Sequence, residues 1–149
     1  MIRKATMEDL DIILEIEKEN FPFPYTRKQY EYEIEANPCA YLYVLEECDE
    51  VIGYIDYWIT FDSCQLCKIA VTKECQRSGY GKEMLEFMFK DALSKACETA
   101  FLEVRVSNKK AISFYETFDF LEVNRRKDYY RDPKEDGIIL GKVLVGDVD

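Results

Sequence analysis

Leu10, Ile13, Leu14 and Phe21 recur at the spacing of one helix face, and Thr6 before Glu8 and Asp9 has the chemistry of an N-cap followed by an acidic first turn. The pattern predicts a helix running to about Asn20. The segment Phe21-Pro22-Phe23-Pro24-Tyr25 breaks it, because each proline lacks a donor and restricts its predecessor. Thr26 is placed to cap a second, shorter helix carrying Tyr30 and Ile34 and ending near Asn37-Pro38. The texture then turns aromatic and β-branched. Tyr41 to Leu45, Val51 to Thr60 and Gln65 to Val71 read as three strands, separated by the polar turns Glu47-Cys48-Asp49-Glu50 and Phe61-Asp62-Ser63. Such short connections predict an antiparallel meander. Met84, Leu85, Met88, Phe89, Ala92, Leu93 and Ala96 then form the clearest helical stripe of the chain. Phe101 to Val106 is predicted as a strand, and Ser107 or Asn108 as the cap of a helix lined by Ala111, Ile112, Tyr115 and Phe118. Leu121 to Tyr129 and Ile138 to Val145 are the last two expected strands, joined by a polar loop from Arg131 to Gly137.

The result is one mixed α/β domain over residues 1–149, without repeat, low-complexity segment or linker. No apolar run approaches the length of a bilayer span, and Glu8, Asp9 and Asp11 interrupt a start that otherwise resembles a leader, so a cytoplasmic protein is expected. A net charge of −10 argues against nucleic acid or an anionic membrane as partner and suits a cationic substrate, an amine or a basic protein segment. A monomer or weak dimer is expected. The six cysteines read as free thiols. Cys64 and Cys67 stand three apart on a predicted strand and so point to opposite faces, which argues against a shared metal. The chain has no histidine, so acid–base chemistry must use Glu, Asp, Tyr, Cys, Lys or water, and the usual Ser-His and Cys-His arrangements are excluded.

The strongest local signal is Gln76-Arg77-Ser78-Gly79-Tyr80-Gly81, between the strand ending at Val71 and the amphipathic helix. Unpaired amides at a helix start, glycines that admit close approach and the charges of Arg77 and Lys82 together suit a phosphate. A dinucleotide fingerprint would need a glycine where Met84 stands, and a P-loop a hydroxyl where Glu83 stands. An ordinary glycine-rich turn remains the plain alternative.

Ile69-Ala70-Val71 followed by Gln76-Arg77-x-Gly79-x-Gly81 resembles the coenzyme-A-binding motif of the GNAT superfamily of N-acetyltransferases. Further similarity runs through Phe21-Pro22, Leu102 to Asn108, Ala111-Ile112, Phe114-Tyr115-Glu116, Arg126 to Tyr130 and Glu135 to Ile139, and it points to the RimI-type subgroup, which acetylates the N-terminal alanine of a small-subunit ribosomal protein. The resemblance implies a mostly antiparallel sheet of about seven strands flanked by about four helices. It implies acetyl-CoA as co-substrate and no metal. Ile69, Ala70 and Val71 would lie along the pantetheine arm, Arg77, Ser78, Gly79, Tyr80, Gly81 and Lys82 would cradle the pyrophosphate, and Asn108 would contact the cofactor. Glu103 would be the general base and Tyr115 the general acid. Two departures stand out: Asp119 occupies a usual glycine position before Phe120, and Tyr25 a position often held by tryptophan.

Acyl transfer to an amine requires a neutral amine, a stabilised oxyanion and a protonated leaving thiolate. An α-amine near pKa ~8 is easier to neutralise than a lysine near ~10.4. Glu103 can take the proton directly or through water, Tyr115 is a neutral phenol that can donate to sulfur, and an amide near Val71 can serve the oxyanion. From the residues alone, Tyr115 also reads as a core aromatic, Glu103 as a solvated strand residue and Asn108 as a helix cap. The acceptor stays open between a protein N-terminus and a lysine, polyamine or other small amine, with a non-catalytic coenzyme-A-binding module as the alternative of another class.

Overall fold

The computed structural model describes residues 1–144. Its elements follow the order β1 (Ile2–Lys4), α1 (Leu10–Asn20), α2 (Arg27–Glu35), β2 (Ala40–Glu47), β3 (Glu50–Thr60), β4 (Ser63–Val71), α3 (Tyr80–Ser94), β5 (Thr99–Arg105), α4 (Lys109–Glu116), β6 (Leu121–Arg131) and β7 (Lys134–Val143), with short 3-10 turns at Met7–Asp9 and Lys73–Cys75. One seven-stranded sheet runs β1-β2-β3-β4-β5-β7-β6. Among the described residues only β4 and β5 pair in parallel.

The helix starts match their capping chemistry. Thr26 Oγ1 accepts from the Gln29 amide (3.2 Å) while Gln29 Oε1 accepts from the Thr26 amide (2.7 Å), a reciprocal cap. Thr6 caps the 3-10 turn in front of α1 instead of α1 itself, its amide donating to Asp9 Oδ2 at 2.8 Å. Arg3 grips Asp9 through two 2.9 Å bonds and Glu46 through a third of 2.9 Å. That clamp holds β1, a strand too short to carry a period and absent from the sequence reading. The stripe of α3 ends before Ala96, which takes a left-handed φ of 65° as the chain turns and the Cys97 amide closes on the Ala92 carbonyl (2.9 Å). The polar segment Arg131 to Gly137 is not a loop: β6 and β7 pair to Arg131↔Lys134, leaving only Asp132-Pro133 at the turn. Pairing with a neighbour overrides the weak strand propensity of those polar residues. Val145 of the expected last strand lies outside the described residues.

The sheet has two buried faces. Ile55, Tyr57, Met84, Leu85, Met88, Leu102, Tyr115, Phe120 and Leu140 pack under α3 and α4. Leu10, Ile13, Ile16, Tyr30, Leu42, Val44 and Tyr54 pack under α1 and α2. Each such side chain withdrawn from water contributes roughly 1.5–3 kcal/mol.

The second face also holds a carboxylate with no orthodox partner. Asp56 is fully buried, and no donor reaches either of its oxygens. Burial, reinforced by the adjoining Glu33 carboxylate, pushes its pKa up to about 10, so Asp56 is a protonated acid that hydrogen-bonds Glu33. From the ordinary carboxylate range up to about pH 10 the unfolded chain has lost this proton and the folded chain retains it, so stability declines as pH rises. Asp56→Asn keeps a donor toward Glu33 and removes the titration. Its melting temperature is expected to exceed that of the native chain by about 2–8 °C at pH 8, with the gap closing toward pH 4; thermal melts across that range check it.

Candidate active site

β4 and β5 stay paired only from Ser63–Gln65 against Thr99–Phe101. Farther along, a register shift against β3 inserts Cys67 as a bulge, which bends β4 away from its neighbour. The strands splay, and Leu66 to Ile69 face Leu102 to Arg105 across a cleft of about 760 Å³. The Thr72 amide donates to the Ile52 carbonyl across the β3–β4 ladder (2.8 Å), so by strand alternation Ile69 and Val71 turn their N–H and C=O groups toward the cleft. The Val71 carbonyl is already taken by Asn20 Nδ2 (3.2 Å) and Gln76 Nε2 (3.0 Å). The Val71 amide and both Ile69 groups remain. Ala70 is placed differently: its backbone faces β3 and its side chain lies in the core under α1.

The glycine-bearing turn follows the end of β4 and opens α3. The first bond of α3 runs from the Glu83 amide to the Gly79 carbonyl (3.0 Å), so the amides of Gly79, Tyr80, Gly81 and Lys82 enter no helical turn. Gly79 has φ 86°, which a side chain would strain, and nothing lies within 4 Å of where its Cβ would be. These four amides stand at the positive end of a fifteen-residue helix, with open space beside Gly79. Arg77, with φ 66°, Ser78 and Lys82 are exposed around them. Tyr80 leans its ring on the core, and Gly81 faces Phe114 from the first turn of α3.

On the opposite wall, Leu102 and Val104 point into the core and Glu103 lines the cleft, the alternation expected of a strand. Tyr115 reaches the cleft from α4 while almost wholly buried, its ring edge-on to Phe114 and Phe120. Burial alone pushes its phenol well above the ordinary value, so it stays protonated. Asn108 caps α4, accepting from the Ala111 amide (3.2 Å), and lines the cleft as well. The two readings of that residue, cap and contact, coexist. Tyr25, Phe21, Trp58, Lys68, Tyr129 and Tyr130 surround the end beyond Glu103.

The sequence model described as the Acetyltransferase (GNAT) family matches residues 10–120. The chain belongs to this family. A putative ribosomal protein bS18-alanine N-acetyltransferase of Bacillus subtilis is 32% identical over 139 residues, covering 93% of this chain and 92% of that protein. The bS18-alanine N-acetyltransferase of Escherichia coli K12 is 38% identical over 84 residues, 55% of this chain and 57% of the other. Among solved structures, the ribosomal-protein-S18-alanine N-acetyltransferase of Escherichia coli superposes with a TM-score of 0.88 at 27% identity, covering 100% of this chain and 96% of that one.

This GNAT N-acetyltransferase carries Asp119, one of its departures from the family pattern, in a conformation that tolerates it. Asp119 has φ 70°, the left-handed region where the family's glycine would sit and which a short polar side chain accepts. Cys64 is buried toward α3 and burial raises its thiol to about 12, whereas Cys67 lies on the other face beside Asp56 and Glu33. Neither is a thiolate. A larger hollow of about 920 Å³, between α3 and the ends of β6 and β7, is lined mainly by apolar side chains such as Phe89, Leu93, Leu121 and Val123; of its charged residues, Lys142 is engaged by the Phe118 carbonyl (2.7 Å) and Asp119 holds the left-handed turn.

Several residues around the cleft escape a sequence reading. Glu17, in α1, looks like one more solvated acid, yet it is fully buried and accepts from Tyr30 Oη (2.6 Å), Tyr54 Oη, the Tyr25 amide (2.8 Å) and Lys68 Nζ (3.0 Å). Lys68 in turn lies 3.8 Å from the centre of the Phe21 ring and 4.4 Å from that of Tyr25, so one buried carboxylate and one cation pin the segment after α1 against β4. The one available signal was the spacing of Glu17 on the apolar stripe, four after Ile13 and three after Leu14.

Proposed function

We propose that this enzyme transfers the acetyl group of acetyl-CoA to the α-amine of an N-terminal alanine on a small-subunit ribosomal protein. The observation that carries the reading is the splay of β4 from β5, which puts Ile69, Glu103, Asn108 and Tyr115 around one cleft, with β4 leading on through Val71 to the turn whose amides are free at Gly79–Lys82. The chemistry of the group fits this path. A diphosphate suits the four amides at the start of α3, with Arg77 and Lys82 beside them, and an extended amide-bearing arm suits the open N–H and C=O groups of Ile69 and the Val71 N–H. Asn108 flanks the same arm from α4. When bound, acetyl-CoA supplies the activated thioester.

Glu103 receives the proton that the incoming ammonium must lose, directly or through one water. The Val71 amide is the donor for the carbonyl oxygen as it gains negative charge. Tyr115 keeps a proton at its Oη and offers it to the sulfur as the C–S bond breaks. Because that phenol is less acidic than a thiol of pKa about 8.5, it keeps its proton and acts by hydrogen-bonding the departing thiolate, which takes a proton from solvent on release. Two relatives support the acceptor: the Bacillus subtilis protein similar over most of the chain and the Escherichia coli protein similar over about half of it are named for alanine acetylation of bS18.

A competition assay tests the acceptor. A peptide with N-terminal alanine, offered with acetyl-CoA beside equimolar free lysine and spermidine, should take at least about ten times as much acetyl group as either amine, as measured by mass spectrometry. Preferential acetylation of the free amines would overturn the ribosomal reading and leave only the family chemistry.

A further inference from the structure

Glu103 on β5 lies beside Ile139 of β7, and Gly137 stands two residues along β7, opposite both Arg105 and Arg126. β6 does not run straight past this point. Its register jumps between Arg126 and Tyr130, so Lys127, Asp128 and Tyr129 form an extended bulge. Asp128 takes a left-handed φ of 53°, and its amide donates to Asp136 Oδ1 (2.9 Å), which ties the bulge to β7. The bulge throws Tyr129 and Tyr130 back across β7, and both line the cleft. Gly137 leaves the room: a Cβ there would sit 3.0 Å from Tyr129 Cδ2 and 3.3 Å from Tyr130 Cε2. Tyr129 and Glu103 line the same cleft, and the carboxylate favours the protonated, donating phenol. Arg126 Nη2 lies 3.6 Å from Glu103 Oε1, and the Arg126 guanidinium is 5.2 Å from the Tyr129 ring centre.

We propose that the β6 bulge is a positioning device for Glu103, in which Arg126 and Tyr129 fix the rotamer of its carboxylate in the cleft and Gly137 is the opening that lets them reach it. The inference rests on Glu103 being the general base. The physical reason is strand geometry. A glutamate on β5 has three free torsions and, on its own strand, only Arg105 as a polar neighbour, which is engaged by the Pro133 carbonyl (2.9 Å) and the Tyr130 ring (4.3 Å). Without a partner, the carboxylate would sample several rotamers, and proton abstraction needs one. A guanidinium and a phenol approaching from β6 select that one.

Turnover measured in the Glu103→Gln background separates this role from a structural one. In the native chain, Tyr129→Phe and Arg126→Met should each lower kcat about ten-fold, with KM for acetyl-CoA unchanged within about two-fold. Arg126→Lys should recover part of the loss, and Gly137→Ala should reproduce the Tyr129→Phe defect although it removes no polar group. Added to Glu103→Gln, the same substitutions should cost nothing further, because residues acting through one group are not additive. Two results would overturn the positioning role alone: full additivity with Glu103→Gln, or effects confined to KM for the acceptor peptide. If Glu103→Gln by itself left kcat within two-fold of native, the base assignment would fail first and this inference with it. Melting curves of the Arg126 and Tyr129 variants, expected within a few degrees of native because both residues are exposed, exclude loss of fold as the cause.

Discussion

Glu103→Gln is expected to lower kcat by about 10²–10³-fold while leaving KM for acetyl-CoA within about two-fold. Glutamine fills the same volume on β5 and preserves hydrogen bonding, but it cannot accept the ammonium proton. The amides proposed to hold the cofactor, at Gly79–Lys82 and on Ile69 and Val71, belong to other elements than β5, so binding should survive. Tyr115→Phe should cost less, about ten- to a hundred-fold, because a buried phenol donates to sulfur late and water can replace it in part. Steady-state rates with varied acetyl-CoA at a saturating alanine peptide separate the two constants. A fall in cofactor affinity equal to the fall in turnover would remove both residues from the chemistry.

The largest effect on stability should come from a residue outside the chemistry. Glu17→Ala is expected to destabilise the chain by about 3–5 kcal/mol, lowering the melting temperature by roughly 6–20 °C. The loss has several parts. Lys68 would keep its charge in a nearly closed site, and the Tyr30 and Tyr54 hydroxyls would lose their shared acceptor. The Tyr25 amide would also lose its anchor, freeing the segment that borders the acceptor end of the cleft. Glu17→Gln, which retains acceptor capacity, should destabilise less. Denaturant melts of the three chains measure the difference, and equal stability for Glu17→Ala would show that the buried carboxylate costs as much to desolvate as it returns.

How far the sequence reached depended on whether a feature was local. The turn at Gln76–Lys82 was legible because a strand, two glycines and a helix start are contiguous, and the chemistry of free amides follows from that order alone. The meander and α3 were legible from their periods. Tyr115 and Glu103 were legible as residues but not as partners. Their periodicity said core and surface, and only the resemblance to a family joined them before the splay of β4 and β5 placed both on one cleft. What stayed hidden was long-range or irregular. A three-residue β1 held by Arg3 has no pattern to read. The Arg131–Gly137 stretch carries turn residues yet pairs as strand, since the ladder between β6 and β7 satisfies its backbone whatever its side chains prefer. The bulge at Lys127–Tyr129 changes which faces Tyr129 and Tyr130 take, and a bulge cannot be counted from alternation. Glu17, Glu33 and Asp56 look like solvated charges until their neighbours across three elements are known.

A crystal structure of the enzyme with coenzyme A tests the central claim most directly. The account predicts the diphosphate within hydrogen-bonding distance of the amides from Gly79 to Lys82, the pantetheine arm along Ile69 and Val71 between β4 and β5, and the sulfur beside the Tyr115 hydroxyl. Coenzyme A bound elsewhere, with the β4–β5 cleft still open and empty, would contradict it.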